Sequence, residues 1–240
     1  MTRAAFLERI RKEIARAPAA EGASTAPRPP HPEDAAEAVR RQMAERWPEA
    51  LETFVREFER VGGVFHRVPD QAGARAKILE IARLHEATAL VAWDPASLGL
   101  ELGSLASNGL AVTTATSDPD DEARQRHRED SAHAQIGVTG ADFVLAETGT
   151  MILLSGRGRP RVTSLLPETH VAVFDRTRLV ESLAQVGVLL EALHADPARS
   201  MSGAMINFIT GPSRTADIEL TLTRGVHGPK AVHAIFVEAR

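Results

Sequence analysis

The feature that most limits the fold is a repeated alternation of short, nearly continuous apolar runs with stretches of helical periodicity. Residues 89–93 (ALVAW), 110–114 (LAVTT), 170–174 (HVAVF), 205–209 (MINFI) and 232–237 (VHAIFV) are such runs. They have strand length, and successive apolar residues bury both faces of a strand. Between them lies helical spacing. Val39, Met43, Trp47, Leu51, Phe54, Val55 and Phe58 mark 34–60, and residues 72–86 and the polar stretch 118–135 read as helices. Leu179, Leu183, Val186, Leu190 and Leu193 mark a further helix after the 170–174 strand. The pattern predicts a three-layer α/β domain, a mostly parallel sheet with helices on both faces. Pro48 is expected to split 34–60 into two helices, because proline disfavours helical backbone at the residue before it. One segment breaks the alternation. The apolar runs 143–146 and 151–154 are separated only by residues 147–150, which reads as a hairpin with antiparallel pairing.

The 240 residues divide into an arm, a linker and one domain. Residues 1–17 form a helical arm with Phe6, Ile10 and Ile14 spaced by four; it either packs on the domain or a partner, or frays. Residues 18–33 are a Pro/Ala-rich linker, and 34–240 form a single α/β domain. The chain contains no cysteine. A disulfide framework, a thiol nucleophile and a cysteine-held zinc or iron–sulfur centre are thereby excluded for these residues. Lys+Arg 28 against Asp+Glu 32 gives a net charge of −4, which disfavours nonspecific nucleic-acid binding. The apolar runs are shorter than a membrane helix needs, and the charged N-terminus lacks a signal-peptide core, so a cytoplasmic protein is expected.

Three loops concentrate groups suited to chemistry. The loop 210–217 (TGPSRTAD) follows a strand and offers Gly211, the hydroxyls of Ser213 and Thr215, the Arg214 fork and Asp217. With a helix starting near Thr215, it would form an anion site at the carboxyl end of a strand. The other reading is a capped turn with a surface arginine. The loop matches neither the P-loop nor the dinucleotide fingerprint, so the anion is unspecified. In the hairpin turn, burial would raise the pKa of Glu147 and make it a base or nucleophile, flanked by Thr148, Gly149 and Thr150. Alternatively it is a turn carboxylate accepting backbone N–H groups. In 155–161 (SGRGRPR), Arg157, Arg159 and Arg161 either bind phosphate or an acidic partner, or form a solvated basic loop. Arginine outnumbers lysine 25 to 3, so no single arginine is diagnostic.

The histidines give no metal site. His127 and His133 flank Asp130 at spacings of three, not the four of zinc helices. His170 and His233 read as satisfied core residues, whereas His227 in its Gly/Pro loop is a site candidate. Ser213, His227 and Asp217 could assemble a triad on paper, but the Gly-x-Ser-x-Gly elbow is absent.

Three stretches carry a family resemblance: GVTGADFVLAETGTMILL at 137–154, TSLLPETHV at 163–171 and TGPSRTADIELTLTRGVHGPK at 210–230. In order and spacing they resemble the lactate utilization protein C family, whose shared unit is the LUD domain, across roughly 34–240. The resemblance implies a fold similar to ribose-5-phosphate isomerases and CoA transferases. It also implies a subunit that works with iron–sulfur partner proteins in oxidation of L-lactate to pyruvate. The absent cysteines fit that division of labour. Class I CoA transferases use a glutamate in a Glu-x-Gly turn, and Glu147-Thr148-Gly149 has that form. The resemblance thus suggests Glu147 as a base or as anchor for a ligand hydroxyl, with the 210–217 loop holding a carboxylate or a cofactor phosphate. It does not say whether a nucleotide or CoA is bound. The alternative it carries is a stand-alone enzyme acting on a phosphosugar or an acyl-CoA. The arm and the Arg157–Arg161 loop are the expected partner contacts.

Overall fold

The structure, a computed structural model, describes residues 31–195, 205–216 and 222–239, together with residues 5, 7–9 and 12. Those five positions are helical and exposed; the rest of the expected arm and nearly all of the linker lie outside the described residues.

The domain opens with helix α1 (Pro32–Arg60). Proline at its first turn needs no hydrogen-bond partner, and Glu33 and Asp34 there favour the positive end of the helix. Contrary to expectation, Pro48 does not divide it: the helix runs 29 residues without interruption. Pro48 leaves only the Ala44 carbonyl without its helical donor, and Ala44 is exposed, so water can take that bond. Buried Met43 on one side and Ala50, Leu51, Phe54 and Phe58 on the other hold both halves against the same core.

The chain then alternates: β1 (Val64–Val68), α2 (Gln71–Leu84), β2 (Ala89–Ala92), the short α3 (Pro95–Leu98) and β3 (Ala111–Thr114). Next come α4 (Asp121–His133), β4 (Ile136–Gly140), the hairpin β5 (Phe143–Leu145) and β6 (Thr150–Leu154), and the short α5 (Val162–Leu165). The rest is β7 (Thr169–Asp175), β8 (Leu179–Val180), α6 (Leu183–Ala195), β9 (Ile206–Ile209), β10 (Arg214–Ala216), β11 (Leu222–Arg224) and β12 (Ala231–Val237). Six strands form one parallel sheet in the order β1-β12-β7-β4-β2-β3. Helices cover both of its faces. Phe65 of β1 and Phe236 of β12 meet Phe54 and Trp47 of α1. The neighbouring His66 and His233 point the other way and meet His85 at the end of α2. The expected architecture is therefore present.

Three local expectations change. The 205–209 run does not join the parallel sheet. As β9 it pairs antiparallel with β6, in a second sheet of order β8-β5-β6-β9 built on the expected hairpin. Leu179 belongs to β8, which pairs with β5, and not to the helix that follows. Thr215 sits in β10, paired with Thr223 of β11, so no helix starts there. In each case a partner strand elsewhere in the chain decides, which the local sequence does not specify.

The core is centred on aromatic contacts between α1 and the parallel sheet. Phe54 is fully buried, with ring centroids 5.1 Å from Phe58 and 5.6 Å from Phe174. A smaller core of Ala36, Leu145, Ile152, Val180, Val186 and Leu189 joins the start of α1, the second sheet and α6.

Histidines are buried in this frame. His233 hydrogen-bonds His66 at 3.0 Å through Nδ1 and His85 at 3.4 Å through Nε2. His170 hydrogen-bonds Thr139 at 2.8 Å, but its Nδ1 has no partner, so it is only half satisfied. Burial, reinforced by the neighbouring imidazoles, pushes His233 down to about 4 and His170 down to about 3.

Phe54→Ala removes the ring at the centre of the aromatic cluster. It is expected to cost about 3–5 kcal/mol in urea unfolding, since such a cavity cannot collapse between a helix and a sheet. The depressed histidines set a pH dependence. The unfolded chain takes up protons near pH 6.5 that the folded chain refuses, so this stability is intact above pH 6.5 and is lost as pH falls towards 4. Each such histidine contributes a slope of about 1.4 kcal/mol per pH unit. Urea unfolding between about pH 6.5 and 5, above the carboxylate range, should show that slope, and His233→Asn should flatten it.

Candidate functional site

The expected site residues gather at the edge of the parallel sheet where β1, β12 and β7 begin. The turn after α1 leads into β1, and the loop 210–214 packs upon it. The Arg214 guanidinium donates to the Val61 carbonyl, closing the carboxyl end of α1. Gly211, at φ 82°, lies so close to Val61 that a Cβ would come within 3.0 Å of its side chain. Ser213 N–H donates to the Pro229 carbonyl at 2.9 Å, and the Lys230 and Ala231 N–H groups donate to the Glu168 carbonyl at the start of β7. This corrects the expectation that the loop leaves the carboxyl end of a parallel strand. Because β9 runs in the second sheet, the chain emerges from it beside the amino ends of the first. His227 is exposed, and Gly228 beside it packs on Ser213. Asp217 lies outside the described residues.

The hairpin turn reaches the same region. Gly149, at φ 62°, packs on the Glu57–Phe58 backbone, where any Cβ would overlap the Phe58 nitrogen at 2.3 Å. The Thr148, Thr150 and Thr210 hydroxyls form a chain with links of 2.7 Å, joining the hairpin to the 210–214 loop. Glu147 is exposed, not desolvated as expected. Its Oε1 accepts the Leu183 N–H at 2.7 Å, capping the first residue of α6. The structure thus unites Thr148, Gly149, Thr150, Gly211 and Arg214 around the end of α1 and turns Glu147 towards α6.

The opposite edge, where the parallel strands end, is open. A cavity of about 1020 Å³ lies between α1, the end of β7 and α6. Its apolar lining includes Met43 and Trp47 from α1 and Leu189 and Leu193 from α6. Its charged groups are Arg40, Arg159, Arg176, Arg178 and Asp142, four cations against one anion. In a chain of net charge −4 this is a local inversion of sign. Asp175 builds part of it: its carboxylate accepts the Thr177 N–H at 2.8 Å and bends the chain so that Arg176 and Arg178 follow directly after β7. Asp142 accepts the Leu154 N–H at 2.7 Å and pairs with Arg159 at 2.8 Å, under the shelter of Trp93. Arg176 and Arg178 are exposed and have no carboxylate partner among the described residues. Of the 155–161 arginines, Arg157 faces Asp118 at 3.6 Å, Arg159 faces Asp142 and Arg161 begins α5, so they do not converge on one anion.

Sequence reasoning missed Arg40, Asp142, Arg176 and Arg178. The Arg-Thr-Arg step immediately after an apolar strand is a usable signal, since ligands favour strand ends in such sheets. Arg40 gives none, being one of many arginines on a helix face. Among the described residues no group of histidine, aspartate and glutamate is arranged to hold a metal ion. No described helix is long and apolar enough to cross a membrane.

Comparison with known proteins agrees with this architecture. The family model described as the LUD domain matches residues 51–237. A protein named lactate utilization protein C from Halalkalibacterium halodurans is 46% identical over 116 residues, covering 48% of this chain and 50% of that protein. One of the same name from Shouchella clausii is 33% identical over 160 residues, 66% of each chain. The chain thus spans about half the length of several curated relatives it matches. The crystal structure of a DUF162 family protein from Deinococcus radiodurans superposes with a TM-score of 0.53 at 18% identity, covering 80% of this chain and 98% of that one. At that identity the likeness concerns the fold. With 51–237 matched by its model, the chain belongs to the LUD domain family.

Proposed function

We propose that this chain serves lactate utilization as a subunit without a redox centre, holding a small carboxylate or phosphate while iron–sulfur partner proteins carry the electrons. One observation carries the proposal: the arginine-rich cleft at the carboxyl edge of the sheet, with Arg176 and Arg178 lacking carboxylate partners among the described residues. A planar guanidinium donates two parallel hydrogen bonds to a carboxylate, so two such groups in a cleft that also holds the side chains of Met43, Trp47 and Leu189 suit a short organic acid. Oxidation of L-lactate to pyruvate releases two electrons and two protons. The 240 residues contain no cysteine to hold a cluster, in keeping with a reading in which partner proteins carry the electrons. The relatives named for lactate utilization point the same way. A cytoplasmic setting fits this role.

The second placement keeps Glu147 as base or hydroxyl anchor and the 210–217 loop as anion holder. The hydroxyl chain of Thr148, Thr150 and Thr210 supports it. Arg214, however, is engaged with Val61, and Glu147 with Leu183. The cleft is therefore the better-supported site.

The test is anaerobic affinity purification of the chain with its partners from lactate-grown cells, followed by lactate-dependent dye reduction. Arg176→Ala with Arg178→Ala should lower kcat/KM for lactate by about tenfold or more, equivalent to ~1.4 kcal/mol, with the complex intact. Glu147→Ala should cost about 1 kcal/mol of stability through the lost cap and leave turnover nearly unchanged. Loss of turnover in Glu147→Ala alone would move the site to the hairpin. Purification as a lone chain that turns over a phosphosugar or acyl-CoA would replace the subunit reading with the stand-alone enzyme.

A further inference from the structure

We infer a second ligand site, on the far side of the Gly156–Arg159 turn from the arginine cleft, that takes a neutral heteroaromatic ring. It occupies a cavity of about 350 Å³ where β3 ends and α4 begins, at the low end of the size range of small-molecule sites. The inference does not depend on the function proposed above.

Most of the surface that lines the cavity is apolar, and Ala115, Pro119, Ala123, Pro160 and Val162 contribute to it. The turn closes one side with backbone. Gly158, at φ 66°, presses on Asp94, where a Cβ would lie 2.7 Å from the Asp94 Cβ. Within this apolar wall stand Thr113, Thr114, Thr116 and His127. Among the described residues the three hydroxyls make no hydrogen bond. His127 is buried, with 7% of its surface exposed; its Nε2 hydrogen-bonds Thr163 at 3.0 Å and its Nδ1 has no partner.

The charges at the mouth disfavour an anion. Arg124 pairs with Asp121 at 2.8 Å and Arg126 with Glu122 at 2.7 Å, and Asp130 adds a negative group. Asp120, Asp121 and Glu122 also occupy the start of α4, where the helix would otherwise attract negative charge. Among the described residues no unpaired cation lines this cavity, in contrast to the arginine cleft. A neutral planar heterocycle matches what is left, because its faces are apolar and its polar atoms lie on the edge, facing the threonine hydroxyls.

The full chain is titrated with adenosine and nicotinamide as neutral probes and with AMP and L-lactate as anionic ones, followed by calorimetry and imidazole ¹⁵N NMR. At least one neutral probe should bind saturably and shift the His127 nitrogen resonances, identified by their loss in His127→Gln. Ala123→Phe, which fills the cavity from the helix surface, should weaken that binding by about tenfold or more. Thr113→Val, nearly equal in volume and safe for the fold, should weaken it by about threefold or more. Arg176→Ala should leave it unchanged. The inference is overturned if neither neutral probe saturates, if AMP binds while adenosine does not, or if binding is indifferent to Thr113→Val and to a folded Ala123→Phe. Because Arg176→Ala tests only the other cleft, failure of one site is distinguishable from failure of the other.

Discussion

The packing of α1 across one face of the parallel sheet is the interaction on which the remaining structure rests. Its aromatic residues bury Phe54 between Phe58 and the rings of β1 and β7, and Trp47 stacks on Phe236 of β12 at 5.8 Å. The same helix then serves a second core, where Ala36 meets Leu145 and Ile152 of the hairpin. A single rigid rod thereby fixes how the second sheet sits against the first. This explains why Pro48 is tolerated: the core grips the helix on both sides of it. It also explains Gly149, whose missing side chain lets the hairpin turn close against the helix backbone.

That arrangement separates two chemically different edges. At the edge where the strands begin, polar groups are consumed by the fold: Arg214 on Val61, Glu147 on Leu183, and three threonines on one another. At the edge where the strands end, two cavities open, and Arg176 and Arg178 beside one of them have no carboxylate partner among the described residues. The Gly156–Arg159 turn divides these cavities. Arg159 faces one of them and Gly156 and Gly158 face the other, so one tight turn gives the two cavities a common wall.

Part of the candidate site is legible in the sequence. The Glu147–Thr150 turn reads correctly as the connection between two strands, and its contact with the 210–214 loop joins two of the segments that carry the family resemblance. Arg176 and Arg178 are visible there only as charges after a strand, and Arg40 not at all. A site assembled from a helix face, a strand end and a hairpin leaves no local spacing to read.

The sequence by itself determined the three-layer α/β class, the longer helices, most of the longer strands and the hairpin, because these follow from local periodicity and turn chemistry, but it did not show β4, β8, β10 or β11. It also determined what the chain does not contain, since a missing cysteine cannot be supplied by folding. Only the tertiary structure decided which sheet β9 joins, that Thr215 is extended, that α1 survives Pro48, and which arginines lack a carboxylate partner among the described residues. An apolar run specifies burial but not its partner strand, and a charged side chain specifies charge but not its counterion. Both are settled by residues far away along the chain, brought together by the burial of α1 against the sheet.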